Sequence, residues 1–131
     1  MNFAYTIVYV PDVSASLAFF ERAFGLKTRF LHESGAYGEV DTGVGGATLA
    51  FVDHETARDS VQHDYVQAHA SPQPLGMELG FTVSDVQAAY DRAVAAGARP
   101  LAAPVTKPWG QTVAYVRCPD GSLVELCTAM G

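Results

Sequence analysis

The chain states one pattern twice. A short run of β-branched and aromatic residues, Tyr5 to Val10, leads through Pro11 and Asp12 into apolar residues three and four apart, Val13, Leu17, Phe20 and Phe24, and stops at Gly25. The same succession returns from Glu78: a run to Val83, then Ser84 and Asp85, then Val86, Tyr90, Ala93 and Val94, closing on Gly97. Repetition at this scale constrains the fold strongly, because copies of one supersecondary unit bury their apolar faces against each other. In each copy an aspartate stands where a helix N-cap is needed, and a glycine stands where a left-handed C-cap is needed.

β-type sequence resumes after each glycine. The first copy reads as strands near 4–10, 26–33, 36–42 and 47–53, the second as strands near 77–83, 99–103, 112–117 and 122–127. The unit is therefore β-α-β-β-β, and the fold class is α+β: tandem βαβββ modules forming a curved mixed sheet around a cavity, with the helices on the outer face. The expected organisation is a single domain over 1–131, with module 1 at about 3–53, a linker at 54–76 and module 2 at about 77–128. The linker is polar, ends in Pro72 and Pro74, and is expected to hold a helical turn near 60–69. Cys118-Pro119-Asp120-Gly121 fits a type I turn followed by a left-handed glycine, which pairs Cys118 with Ser122 and Tyr115 with Glu125. Cys118 and Cys127 then point to opposite faces of the sheet, which argues against a disulfide between them.

Composition narrows the partners. Hydrophobic residues at 49% and charged residues at 17% supply a real core, while a formal charge of −6 has the wrong sign for nucleic acid or an anionic membrane surface. No apolar stretch is long enough for a membrane span and the N-terminus has no leader pattern, so a cytoplasmic protein is expected.

Strand alternation points to a site. In 78–83, Leu79, Phe81 and Val83 form the helix-facing set and leave Glu78, Gly80 and Thr82 opposite; in 123–127, Val124 and Leu126 face the core and leave Glu125 opposite. Two carboxylates on the concave side of one sheet are costly unless solvated, paired or bound to a cation. They either line a ligand cavity, as oxygen ligands or as acid and base, or serve the scaffold by pairing with Arg117 or Lys107. His54, His63 and His69 lie in the polar linker and are expected to be solvated, and His32 is near a strand end. No HExxH, GxSxG, P-loop or GxGxxG pattern occurs.

The tandem modules, the Val-Pro-Asp-Val and Thr-Val-Ser-Asp-Val helix starts and the terminal run from Pro119 to Leu126 resemble the vicinal oxygen chelate superfamily. That group contains glyoxalase I, bleomycin-resistance proteins and extradiol dioxygenases, and the resemblance covers about 4–128. It implies metal-ligand positions on the first and last strands of each module, which fall here on Tyr5, Ala50, Glu78 and Glu125. Only the two glutamates keep a strong donor, so they are the metal ligands if a divalent metal is bound, with Glu125 as the catalytic residue. The departure is similar to the metal-free, drug-binding branch, with no cofactor expected and ligand-binding walls at Tyr5, Ile7, Tyr9, Ala50, Glu78, Trp109 and Tyr115. The two readings implied are a small-molecule-binding protein and a divalent-metal-dependent, glyoxalase-like lyase, isomerase or dioxygenase. A homodimer is expected, because open half-barrels leave apolar strand edges to cover.

Overall fold

The structure, a computed structural model, describes residues 1–130. Its elements are β1 (Tyr5–Val10), α1 (Val13–Phe24), β2 (Thr28–Leu31), β3 (Tyr37–Val40), β4 (Thr48–Asp53), α2 (His54–Val61), β5 (Leu79–Thr82), α3 (Val86–Ala96), β6 (Arg99–Thr106), β7 (Thr112–Arg117) and β8 (Leu123–Cys127). Each βαβββ repeat forms one four-stranded mixed sheet, in the orders β1-β4-β3-β2 and β5-β8-β7-β6. In both, the first strand runs parallel to the last, and the helix makes the crossover that a parallel pair requires.

The helix ends follow from the repeat. The Asp12 carboxylate accepts from the Ala15 N–H at 3.1 Å, and Asp85 accepts from Ala88 at 3.0 Å, each satisfying a donor that the helix leaves open. Gly25 and Gly97 take the left-handed C-caps. The apolar stripe of α1 is then buried, with Leu17 3% and Phe20 0% exposed, a gain of about 1.5–3 kcal/mol for each large side chain. Phe20 packs its ring 4.9 Å from Phe51 of the first sheet and 6.5 Å from Phe81 of the second. A single core therefore spans both repeats, running from Val10, Val40 and Phe51 to Val116, Val124 and Leu126. The helices also meet at the exposed edge of this core: Arg92 of α3 donates through Nε to the Arg22 carbonyl of α1 at 3.0 Å, and Arg22 donates to the Ala96 carbonyl at 3.4 Å.

The β7–β8 hairpin takes the register expected from its turn. Tyr115 lies opposite Glu125, and the Cys118 N–H donates to the Ser122 carbonyl at 2.8 Å. Both cysteines are free and buried. Asp120 at the turn is 6% exposed and accepts from the Ser16 hydroxyl of α1 at 3.0 Å, a contact spanning 104 positions of sequence.

The segment after β4 differs from the expected polar linker with a turn near 60–69. Helix α2 starts at His54, directly after β4, because the Asp53 side chain caps the Thr56 N–H at 2.8 Å. A single 3-10 turn, Ala68–Ala70, follows, and Arg117 fixes it by donating through Nη2 to the Ala68 and Ser71 carbonyls, each at 2.8 Å. No helix of the described residues is long and apolar enough to cross a membrane.

Candidate functional site

Sheet register defines the face opposite the helices. On the first sheet Ile7, Ala50 and Glu39 lie in one row and Tyr9, Val52 and Tyr37 in the next; on the second sheet the matching row is Gly80, Glu125 and Tyr115. Ala50 and Glu125 are thus structural counterparts. Ala50 is fully buried and offers no donor, whereas Glu125 is half-buried with Gly80 beside it, and nothing lies within 4 Å of where a Gly80 Cβ would stand.

Glu78 immediately precedes β5 on the same face as Glu125. Its carboxyl is held above the ordinary carboxylate range, first by burial and then by Glu125. Tyr115 is raised by burial and by the Glu125 charge, and Cys127 by the same two causes. Burial and the neighbouring negative charge act in the same direction on all three groups. Neither Arg117 nor Lys107 pairs with either glutamate: Arg117 is committed to the linker carbonyls, and the one salt bridge among the described residues is Arg29 Nε to Glu39 Oε1 at 3.2 Å.

The open face of the first sheet carries polar groups that sequence reasoning missed. Glu39 accepts from the Tyr37 hydroxyl at 2.6 Å as well as from Arg29, and Arg29 donates to the Thr48 hydroxyl at 2.8 Å. Burial and Glu39 push Tyr37 up to about 12. The signal was available, since Tyr37 and Glu39 alternate with the buried Gly38 and Val40 along β3.

A pocket of about 370 Å³ opens between β1 and the start of β5, under the linker. Ile7, Tyr9, Tyr65, Leu75 and Met77 give it largely apolar walls, and Glu78 is the one acidic group in its lining. Of the residues expected at the ligand site, Ile7, Tyr9 and Glu78 come together here. Tyr5, Ala50, Tyr115 and Glu125 lie elsewhere on the two sheet faces, and Trp109 is 64% exposed on its loop, with its indole N–H donated to Gln111 at 3.0 Å. The linker walls were not foreseen. Tyr65 is placed by a ring contact of 5.1 Å to Tyr9 and a 2.7 Å hydrogen bond between its hydroxyl and His54 Nδ1. His54 Nε2 is buried with no partner, and burial, with His69 next, pushes the imidazole below its ordinary value. This histidine is a packed group and not the solvated loop residue expected. His32, by contrast, is exposed and bonded to Ser34 at 2.7 Å.

The fit of a divalent metal can be judged from the donors. Among the described residues no three His, Cys, Asp or Glu side chains come together as a ligand set. Glu78 and Glu125 alone do not make a complete site within one chain, since hard cations take six or more oxygens and zinc takes four ligands.

Comparison with known proteins places these features. The sequence profile described as the Glyoxalase/Bleomycin resistance protein/Dioxygenase superfamily matches residues 2–126. Among solved structures, the chain is similar to a glyoxalase-related enzyme from Fulvimarina pelagi, with 23% identity and a TM-score of 0.83 over 98% of this chain and 88% of that one. It is also similar to a glyoxalase/bleomycin resistance protein/dioxygenase family enzyme from Burkholderia phytofirmans PsJN, with 22% identity and a TM-score of 0.78 over 99% and 100%. At this identity the likeness shows a shared fold. No curated protein matches the sequence.

Proposed function

Because the chain belongs to the Glyoxalase/Bleomycin resistance protein/Dioxygenase superfamily, we propose that it binds a small, mostly apolar, cationic molecule in the pocket between β1 and β5. The observation that carries this reading is the pocket itself: a cleft of about 370 Å³ with apolar and aromatic walls and one carboxylate, Glu78, in its lining. Apolar walls supply affinity and a single charged group sets orientation and sign, the usual division of labour in small-molecule sites. A cation beside Glu78 would offset the burial and the Glu125 charge that hold its carboxyl high. The surplus of acidic residues steers the same class of ligand toward the protein.

The assembly that fits is a homodimer. Tyr5, Ile7, Phe30, Leu101 and Val105 are each at least 41% exposed on strands, and a second copy is the natural cover for such faces. Light scattering at micromolar concentration would then give twice the mass of the chain.

The test of the ligand reading is a thermal-shift series of aromatic amines against aromatic carboxylates of matched size. Amines raise the melting temperature in proportion to the logarithm of their concentration, carboxylates do not, and Glu78→Gln removes the difference. Equal responses to both series would defeat the reading. A second reading, a metal-dependent enzyme, draws on the Glu78–Glu125 pair, which a divalent ion shared with a partner chain would relieve. Elemental analysis of untagged protein decides it, since one tightly held metal per chain would replace the metal-free reading.

A further inference from the structure

On the other side of the 3-10 turn from the apolar pocket lies a second concavity of about 300 Å³, bordered by His69, Ser71, Arg99, Arg117, Pro72 and Pro119. No carboxylate is in its lining. Arg99 of β6 and Arg117 of β7 are direct cross-strand partners. Like charges placed opposite each other in an antiparallel pair are destabilising, and here neither has an acidic partner. Arg117 is moreover 9% exposed. Its Nη2 is satisfied by the Ala68 and Ser71 carbonyls, but Nε and Nη1 make no hydrogen bond to any described residue and are not sealed from solvent. The Arg99 side chain makes no ion pair with the described residues and lies exposed at the rim. The nearest acid along the chain, Asp120, is turned away and held by the Ser16 hydroxyl and the Ser122 N–H. In a chain with fourteen acidic and eight basic residues, two cross-strand arginines without an acidic partner, one of them buried, call for a counter-charge.

We infer that this concavity is a binding site for a small tetrahedral oxyanion, a phosphate group either free or at the end of a small ester. The free guanidinium fork of Arg99 matches the paired oxygens of such a group, and Arg117, held in place by its two Nη2 contacts to the carbonyls, adds its charge and a remaining N–H. Ser71 and His69 also border the concavity. The volume leaves room beside the phosphate for a short organic substituent. The site is independent of the apolar pocket and stands or falls without it.

The test is isothermal titration of the full chain at low ionic strength with inorganic phosphate, phenyl phosphate and acetate. Saturable binding of one phosphate per chain is expected, weakening as salt is added. Acetate should bind about tenfold less well, having fewer oxygens and less charge to share between the two arginines. Arg99→Gln, a change at an exposed position that should leave the circular dichroism spectrum intact, lowers phosphate affinity about tenfold. Arg58→Gln, on α2 and outside the concavity, leaves it unchanged. Phenyl phosphate binding more tightly than phosphate assigns the site to an ester, and equal binding assigns it to the free ion. Phosphate that fails to saturate at concentrations on the order of 10 mM, acetate that binds as well as phosphate, or a folded Arg99→Gln protein with the parent's affinity would each overturn the inference.

Discussion

Gly121 is the position at which one methyl group should cost most. It sits in the β7–β8 turn with φ +93°, a region that side-chain-bearing residues enter at about 1–2 kcal/mol. A Cβ there would also overlap the Ala68 carbonyl and the His69 backbone nitrogen. Backbone cannot rotate aside as a side chain does, so the 3-10 turn must lift from the hairpin. Lifting it weakens the two Arg117 hydrogen bonds to Ala68 and Ser71, contacts with a charged donor that contribute about 1.5–3 kcal/mol each. Part of that returns as the guanidinium is rehydrated, and the expected loss for Gly121→Ala is about 3–5 kcal/mol, a large share of the stability of an ordinary domain. Gly35→Ala is the matched control. Gly35 has φ +75° with open space around it, so it reports the backbone cost alone, about 1 kcal/mol. Urea midpoints for the two variants, with hydrogen exchange followed at 68–71, separate the contributions. Equal losses in both variants, or unchanged protection of 68–71 in Gly121→Ala, would show that the linker is not pinned on this glycine.

Two further outcomes follow from the titrating groups. Because the Glu78 carboxyl is raised in the folded state, its contribution to stability is fully present below the unfolded value near 4.5 and is lost as pH rises through the folded value. Glu78→Gln and Glu125→Gln should therefore match or exceed the parent in melting temperature at pH 7, and two destabilised variants would mean that the pair serves the scaffold. His54 runs the other way: its folded value is depressed, so its contribution is present above about 6.5 and is lost as pH falls below that toward the folded value. Denaturation at pH 7 and pH 5 should show a loss for the parent that is smaller in His54→Asn, and an identical loss in both would exclude His54 as its source.

The repeat made the architecture readable because its signals are local and mutually consistent. Asp12 and Asp85 cap helices, Gly25 and Gly97 end them, and Pro119 to Gly121 sets the hairpin register, each within a few residues of the effect it produces. Alternation likewise placed Glu78 and Glu125 on one face. What escaped is what depends on distant packing. Nothing near Tyr65 in sequence shows that it will lie against Tyr9, and the helical start at His54 is concealed because Asp53 ends a strand and caps a helix at once. On charge alone Arg117 or Lys107 could serve as partner for a glutamate, whereas the Arg117 fork is taken by carbonyls of a segment almost fifty residues earlier, 46 from Ser71 and 49 from Ala68. The indole of Trp109, on its exposed loop, is tied to Gln111, a contact that the sequence alone does not announce.

The bond between Ser16 and Asp120 bears on how the chain is made. Helix α1 is synthesised early, yet the partner of its buried hydroxyl arrives 104 residues later, and the ring of Phe20 waits for Phe81, in the second repeat, to close over it. The first repeat therefore leaves the ribosome with an apolar helix face it cannot finish covering. Contacts of such long sequence separation slow folding, since the chain between them must be ordered before they form. Two similar halves do not give this protein two folding units: the nascent first half needs protection from aggregation until nearly the whole chain has emerged.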